Sequence, residues 1–334
     1  MILVVDRRNV TVRYERGTLV IEQPEQASRR VPVKQLEQFI VHGNPLIEAS
    51  VWRALAEADV SAVILPHRGL KQEAFMGSGL ASQLPFRRMQ FQCAGHEVAS
   101  LSLARWFIEQ KLRSIDLPLL ALTKHYPLSE DEAENIKTLR DTYLTKLATT
   151  EDLASIMGIE GQLAKTWFEL LAEKLPASLN FTGRNRRPPR DPVNALLSLA
   201  YTLLNSEIHR GLISSGLDPS LGFLHQDYPG REALVLDFTE VFRSGVDHFV
   251  LCWLNETEID KESFYYRESE GCRMSKSLRP EFYSAWAEYC EDWPRPFAPE
   301  ADLNSWPTAP LSEQVNGQIS RFREMMKTSS ADNG

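Results

Sequence analysis

Four residues offer side chains from which a metal centre can be built: Glu160, His225, Asp237 and Glu240. Asp237 and Glu240 stand three residues apart in a helical apolar pattern that begins near Leu234 and is anchored by Val241 and Phe242, so both carboxylates fall on one helix face. His225 ends LDPSLGFLH, where Asp218, Pro219 and Gly222 bring too much turn chemistry for regular structure, which puts the imidazole on a loop or at an element's edge. Carboxylate oxygens suit a hard divalent cation, Mg²⁺ or Mn²⁺, and one added imidazole nitrogen tilts the preference towards Mn²⁺. Glu160, in IMGIEGQLAKTWFELLAE, is the best third ligand. Gly158 and Gly161 flank it inside a helical pattern, where each costs roughly 1 kcal/mol relative to alanine and so has a packing or functional reason. Spacing alone leaves ordinary roles open: a loop histidine bonded to a carbonyl, a surface glutamate, and acids at a helix N-terminus, Asp237 above all. Glu240 therefore ranks above Asp237 as a direct ligand.

The elements that must position these groups are legible around them. Asp191 is a capping residue, Pro192 suits the first helical position, and Leu196, Leu197, Ala200, Leu203, Leu204 and Ile208 recur at helical spacing up to a stop at Gly216. Just before this helix, FTGRNRRPPRD holds Arg184, Arg186, Arg187 and Arg190, a basic run suited to phosphate contact. Lys165, one turn after Glu160, and Arg243, one turn after Glu240, are weaker candidates for the same role. Residues 1–76 read as a β-rich domain: a hairpin turning at Arg16 and Gly17, strands at Phe39 to Val41 and Ala62 to Leu65, and one helix near Leu46 to Glu57. Residues 77–86 carry linker chemistry, residues 87–326 are helical in period, and 327–334 form a polar, flexible tail. The fold class expected is α+β, a small N-terminal β domain followed by a larger all-α catalytic domain.

Composition narrows the class. At 334 residues with 43% hydrophobic content the chain fits two folded domains. It has no apolar run long enough to span a bilayer and no signal-like start, so the expected setting is cytoplasmic and away from membranes. Four cysteines without CxxC spacing suggest neither a zinc ribbon nor a disulfide framework. The formal net charge of −8 runs against nucleic-acid binding as a bulk property, yet phosphate affinity is decided by patches. Much of the acidity lies in NETEIDKESFYYRESEG, residues 255–271, which reads as a solvated loop.

The segments IEGQLAKTWF, DPVNALLSLAYTLL, GLDPSLGFLHQD and LVLDFTEVFR, together with VPVKQLEQFIVHGN, VSAVILPHRG and RRMQFQC nearer the start, resemble the CRISPR-associated integrase and endonuclease family, protein one of the spacer-adaptation pair. The resemblance covers most of the chain. It implies Glu160, His225 and Glu240 as ligands of Mg²⁺ or Mn²⁺, with Asp237 beside them as an extra ligand or supporting carboxylate. Where many members have a tyrosine after the paired leucines of the long helix, this chain has Asn205. The implied activity is metal-dependent joining of the 3′-hydroxyl ends of short DNA fragments into the CRISPR repeat by transesterification, with hydrolysis when water is the nucleophile. The implied partners are DNA (the prespacer fragment and the leader-repeat), a second copy in a homodimer formed through the β domain, and a small ferredoxin-like adaptation protein; a reverse transcriptase is a further admissible one. Other readings are a transposon-type integrase, for which no additional DNA-binding module is seen, a structure-specific repair nuclease, and a non-catalytic DNA-binding scaffold.

Overall fold

The computed structural model describes all residues except 8, 25, 37, 59, 66–73, 77–83, 186–187, 261, 296–305 and 332–334. The chain divides into two compact units, Met1–Ser82 and Gln83–Gly334.

In the first unit, alternating apolar residues build two four-stranded sheets. The hairpin β2 (Thr11–Glu15) and β3 (Thr18–Glu22) turns through Arg16 and Gly17, both at positive φ, with Gly17 relieving one of the two left-handed positions. β4 (Arg29–Pro32) extends it antiparallel and β6 (Leu46–Ile47) joins parallel to β2, giving the order β4-β3-β2-β6. The other sheet runs β1-β5-β7-β8: β1 (Ile2–Val5), β5 (Gln38–Val41) and β7 (Ser61–Ile64) are parallel, and β8 (Ala74–Met76) is antiparallel to β7. The expected helix from Leu46 begins only at Ala49 (α1, Ala49–Glu57), because Leu46 and Ile47 pair with β2 instead. Val51 and Leu55 of α1 share one core with Val12, Leu19 and Phe39.

The second unit is helical. α2 (Leu84–Ala94) begins inside the stretch expected as linker, and α3 (Glu97–Arg113), α4 (Asp116–His125), α5 (Glu130–Ala148) and α6 (Leu153–Lys174) follow. The Asp191 carboxylate accepts the Asn194 N–H at 2.8 Å to start α7 (Pro192–Ser214), and Gly216 at φ 76° ends its last turn. α8 (Ala233–Glu256) lies at the centre, buried along most of its length, and packs against α7, α4 and α3. The acidic stretch expected as a loop is partly regular: its residues 264–267 form β9 (Phe264–Arg267), which pairs with β10 (Gly271–Met274). α9 (Arg279–Glu291) and the short ribbon β11 (Trp293–Pro294) with β12 (Thr308–Ala309) precede α10 (Leu311–Ala331). The expected flexible tail is therefore helical through Ala331, because the buried stripe Leu311, Val315, Ile319, Phe322 and Met326 docks α10 on the bundle and carries the helix on. No described helix is long and apolar enough to cross a membrane.

Candidate active site

Behind the site lies an aromatic cluster. Phe107 of α3, Phe238 of α8 and Phe322 of α10 meet with centroids 5.1–5.4 Å apart, and Phe223 reaches Phe322 at 5.5 Å. Phe238 follows Asp237 in α8, and Phe223 lies two residues before His225, so apolar burial fixes the helix and the histidine loop against the same core. The loop is also clamped by the buried Gln90 of α2. Its amide nitrogen donates to the carbonyls of Asp218 (2.9 Å) and Leu221 (2.8 Å), and its oxygen accepts the Asp218 N–H at 2.8 Å.

Asp237 is fully buried, and its oxygens are taken up within the protein. Oδ2 accepts the N–H groups of Phe223 (2.6 Å) and Leu224 (3.1 Å), while Oδ1 accepts the N–H of His225 (2.9 Å) and stands 2.7 Å from its Nδ1. A carboxylate here accepts Nδ1–H, which leaves Nε2 as the imidazole's free electron pair. The geometry thus separates the two acids of α8 by their partners: Asp237 cradles the loop and orients the histidine, and Glu240, one turn on, sits in a charged cluster. Asp237 lies on the second turn of α8 and caps nothing.

Glu240 is held by two cations. Arg243 donates to it through Nε (2.8 Å) and Nη2 (2.6 Å), and the Lys111 ammonium of α3 lies 2.6 Å from Oε2. Burial, the largest influence, pushes the Glu240 carboxyl up, but Arg243 and Lys111 together outweigh it and hold the group below the usual carboxylate range. The same Lys111 ammonium also pairs with Oε1 of Glu160 on α6. Glu160 and Glu240, 80 residues apart, therefore converge on one buried positive atom.

Sequence reading missed Lys111. Its signal was a lysine one turn after Phe107 and Ile108, on a helix face that is otherwise apolar. The expected packing reason for Gly158 and Gly161 is absent: a Cβ at either position would meet nothing, so α6 presents a bare backbone surface on both sides of Glu160.

The basic candidates divide. Arg184 is used internally, donating to Asn194 Oδ1 (2.7 Å) and lying over the Tyr201 ring, and Arg243 stacks on the same ring at 5.0 Å. Both guanidinium groups are engaged by partners within the chain. Tyr201 in turn donates to Asp247 at 2.6 Å, as does Trp167 Nε1 at 3.0 Å. Lys165 and Arg190 are exposed, whereas Arg186 and Arg187 lie outside the described residues. Asn205 accepts a hydrogen bond from Thr239 at 2.6 Å, tying α7 to α8 where a tyrosine would project a ring.

The donor chemistry fits a hard divalent cation: two carboxylates already share one cation, and an imidazole has its second nitrogen fixed. Among the described residues no three His, Cys, Asp or Glu side chains are yet drawn close enough to hold an ion. The carboxylates are instead gathered by Lys111, whose ammonium stands where positive charge is wanted.

Comparison with known proteins bears on this site. The sequence model of the family described as "CRISPR associated protein Cas1" matches residues 3–288. The chain is 30% identical over 291 residues to "CRISPR-associated endonuclease Cas1 1" of Thermodesulfovibrio yellowstonii, spanning 86% of this chain and 90% of that protein. It is 34% identical over 278 residues to "CRISPR-associated endonuclease Cas1 3" of Thermus thermophilus, spanning 81% and 79%. In fold it is similar to a casposase bound to integration product, with a TM-score of 0.82 at 20% identity over 98% of this chain and 91% of that one. A chain of a Cas6-RT-Cas1–Cas2 complex gives 0.79 at 19% identity, covering 98% of this chain and 35% of that one.

Proposed function

Because this chain belongs to the Cas1 family of CRISPR-associated proteins, we propose that its nuclease and integrase activity is the metal-dependent insertion of short DNA fragments during spacer acquisition. The observation that carries this reading is the convergence of Glu160 and Glu240 on one buried cation, Glu240 belonging to the same helix α8 whose Asp237 holds Nδ1 of His225. Glu160, Glu240 and Nε2 of His225 would hold Mg²⁺ or Mn²⁺, which when bound activates the attacking oxygen and offsets charge on the phosphate.

The remaining chemistry belongs to the chain itself. In the joining step the fragment's 3′-oxygen forms a bond to a target phosphorus. The phosphorus's bond to its former 3′-oxygen breaks, and the proton lost by the attacking hydroxyl is matched by one gained on the released hydroxyl. One phosphodiester replaces another, so no high-energy cofactor is needed. Asp237 keeps the imidazole in one tautomer and one orientation. Lys111 and Arg243 hold the Glu240 carboxylate ionised and aimed, so little reorganisation is left for the reaction. Lys165 and Arg190 are the exposed cations suited to the DNA backbone, and the bare face at Gly158 and Gly161 lets a strand pass close to Glu160.

In this reading the partners are DNA, a second copy joined through the N-terminal unit, and the small ferredoxin-like adaptation protein. A structural neighbour found in a Cas6-RT-Cas1–Cas2 complex supports a protein partner for this chain. The likeness to a casposase favours transposon-type integration as a second reading.

The test is transfer of a labelled duplex with free 3′-hydroxyls into a supercoiled plasmid carrying the repeat, in Mn²⁺ or EDTA, with the native chain and His225→Ala. Joining that needs both Mn²⁺ and His225 is the expected outcome. Joining without preference for the repeat would favour the transposon-type reading, nicking confined to branched DNA a repair nuclease, and DNA binding without chemistry a scaffold.

A further inference from the structure

Seven residues beyond Glu240 on α8 stands Asp247, a buried carboxylate with no part in the chemistry proposed above. Seven residues beyond Glu160 on α6 stands Trp167, also buried. These two meet: Trp167 Nε1 donates to Asp247 Oδ2 at 3.0 Å. A spacing of seven is about two helical turns, so α6 and α8 run in the same direction and are bridged twice. One bridge is Glu160 and Glu240 through the Lys111 ammonium, and the other, two turns on, is Trp167 and Asp247.

Between the bridges, Glu240, Arg243, Ser244 and Asp247 put buried polar groups on one face of α8. Each has a partner. Arg243 holds Glu240, and Ser244 Oγ lies 2.7 Å from Ser114 Oγ, just past the Lys111 turn of α3. A small cavity separates this face from Leu163 and Trp167 of α6. Apolar packing therefore leaves a gap between the two helices, and the Trp167–Asp247 hydrogen bond sets their separation beside it.

The second oxygen of Asp247 leads back to the site by another route. Oδ1 accepts the Tyr201 hydroxyl of α7 at 2.6 Å, the Arg243 guanidinium lies 5.0 Å from the centre of the Tyr201 ring, and Arg243 donates to both oxygens of Glu240. One carboxylate thus acts on Glu160 through Trp167 and on Glu240 through Tyr201 and Arg243. Stability alone does not account for it, because burying a carboxylate costs more than burying an apolar residue of the same size. What two directional hydrogen bonds supply is a single register of α6 on α8, where an apolar contact would admit several.

Resting on the reading of Glu160 and Glu240 as metal ligands, we propose that Asp247 is a positioning residue: by pinning α6 and Tyr201 to α8 it sets the separation at which the two carboxylates can share one ion. Such ligands must be held within about 0.5 Å of the working geometry. Glu160 and Glu240 come from different helices, so their spacing is only as fixed as the register between those helices. Asp247 and Trp167 supply that register from two turns away, without touching DNA or metal.

The test reads Mn²⁺ binding to the full chain from the electron paramagnetic resonance of free Mn²⁺, taking as site binding the part that His225→Ala removes. Trp167→Phe, which keeps a ring and loses the N–H, should weaken that binding about tenfold, as loss of a ligand's supporting partner does. In strand transfer the Mn²⁺ needed for half-maximal joining should rise by the same factor, with the rate at saturating Mn²⁺ kept. Asp247→Leu should behave like Trp167→Phe. Asp247→Asn, whose amide can still accept from Trp167 and donate to Tyr201, should keep most of the affinity. Phe249→Leu, on the same helix but packed on Phe282 and Trp286 of α9, should lower the melting temperature and leave Mn²⁺ affinity as it is. Native-like Mn²⁺ binding in Trp167→Phe, or an equal loss in Phe249→Leu, would overturn the proposal while the metal site stands. A native chain that binds no Mn²⁺ would remove the metal site and this proposal together.

Discussion

At the scale of single residues, the two acids of α8 show how identical chemistry acquires different roles. Asp237 and Glu240 differ by one helical turn, yet the first accepts three backbone N–H groups and an imidazole and the second accepts an ammonium and a guanidinium. A carboxylate with its oxygens spent on a loop positions that loop. Asp237→Asn should therefore lower strand transfer by about 10–100-fold, the usual effect of removing a ligand's supporting partner. Amide hydrogen exchange at Phe223, Leu224 and His225 should quicken at the same time. Unchanged exchange with lost activity would instead make Asp237 a direct participant. Sequence spacing placed both acids on one face and ranked Glu240 first, but, Arg243 aside, whether an acid meets backbone or a cation depends on contacts 12 to 129 residues away along the chain.

At the scale of elements, the histidine loop and the first turn of α8 are in close contact at Gly222. A Cβ there would come within 2.7 Å of the Ala233 Cβ and 2.9 Å of the His225 carbonyl oxygen. Neither atom is the end of a flexible side chain, so the loop itself must move. Gly222→Ala should cost roughly 1–3 kcal/mol in urea denaturation and depress strand transfer more than stability, because the displaced residues carry the imidazole. A second element-level effect concerns α5 and α6. Lys174 pairs with Glu132 at 2.5 Å, and that bond, ahead of the capping-box bonds from Ser129, holds the Glu132 carboxyl down to about 2. A lowered folded-state value means that the stabilisation is complete above the ordinary value of 4.5 and is lost as pH falls through about 2. Glu132→Gln, which mimics the protonated group, should be less stable than the native chain at pH 6, with the difference closing as pH falls from 4.5 towards 2. A difference that does not change with pH would assign the effect to the helix cap alone.

At the scale of the whole molecule, a chain of formal net charge −8 is proposed to grip a polyanion. Part of its positive charge is turned inward, since Lys111 and Arg243 neutralise the site carboxylates and Arg184 knits the loop before α7. Lys165 and Arg190 remain outward. DNA affinity should fall linearly on a logarithmic salt scale, and changing both residues to glutamine should reduce that slope by about 1–2. Fluorescence anisotropy at several salt concentrations measures it. A slope unaffected by the double variant would move the DNA path to another face.

Local chemistry by itself determined a good part of this protein. Asp191 and Pro192 start α7, Gly216 ends it, Pro219 and Gly222 keep His225 off regular structure, and three-residue spacing sets Asp237 and Glu240 one turn apart, because caps, turns and helical faces depend on near neighbours in the chain. The resemblance of whole segments supplied the family, which comparison then showed. Tertiary structure alone decided the pairing of Lys111 with acids from α6 and α8, the inward turn of Arg184 and Arg243, the open surface at Gly158 and Gly161, and the meeting of His125 with Cys252. The Lys111 pairs and the His125–Cys252 contact join residues 49 to 129 apart in the chain. A buried lysine looks like any surface lysine until packing sets opposite charges around it, and burial then makes that pairing obligatory.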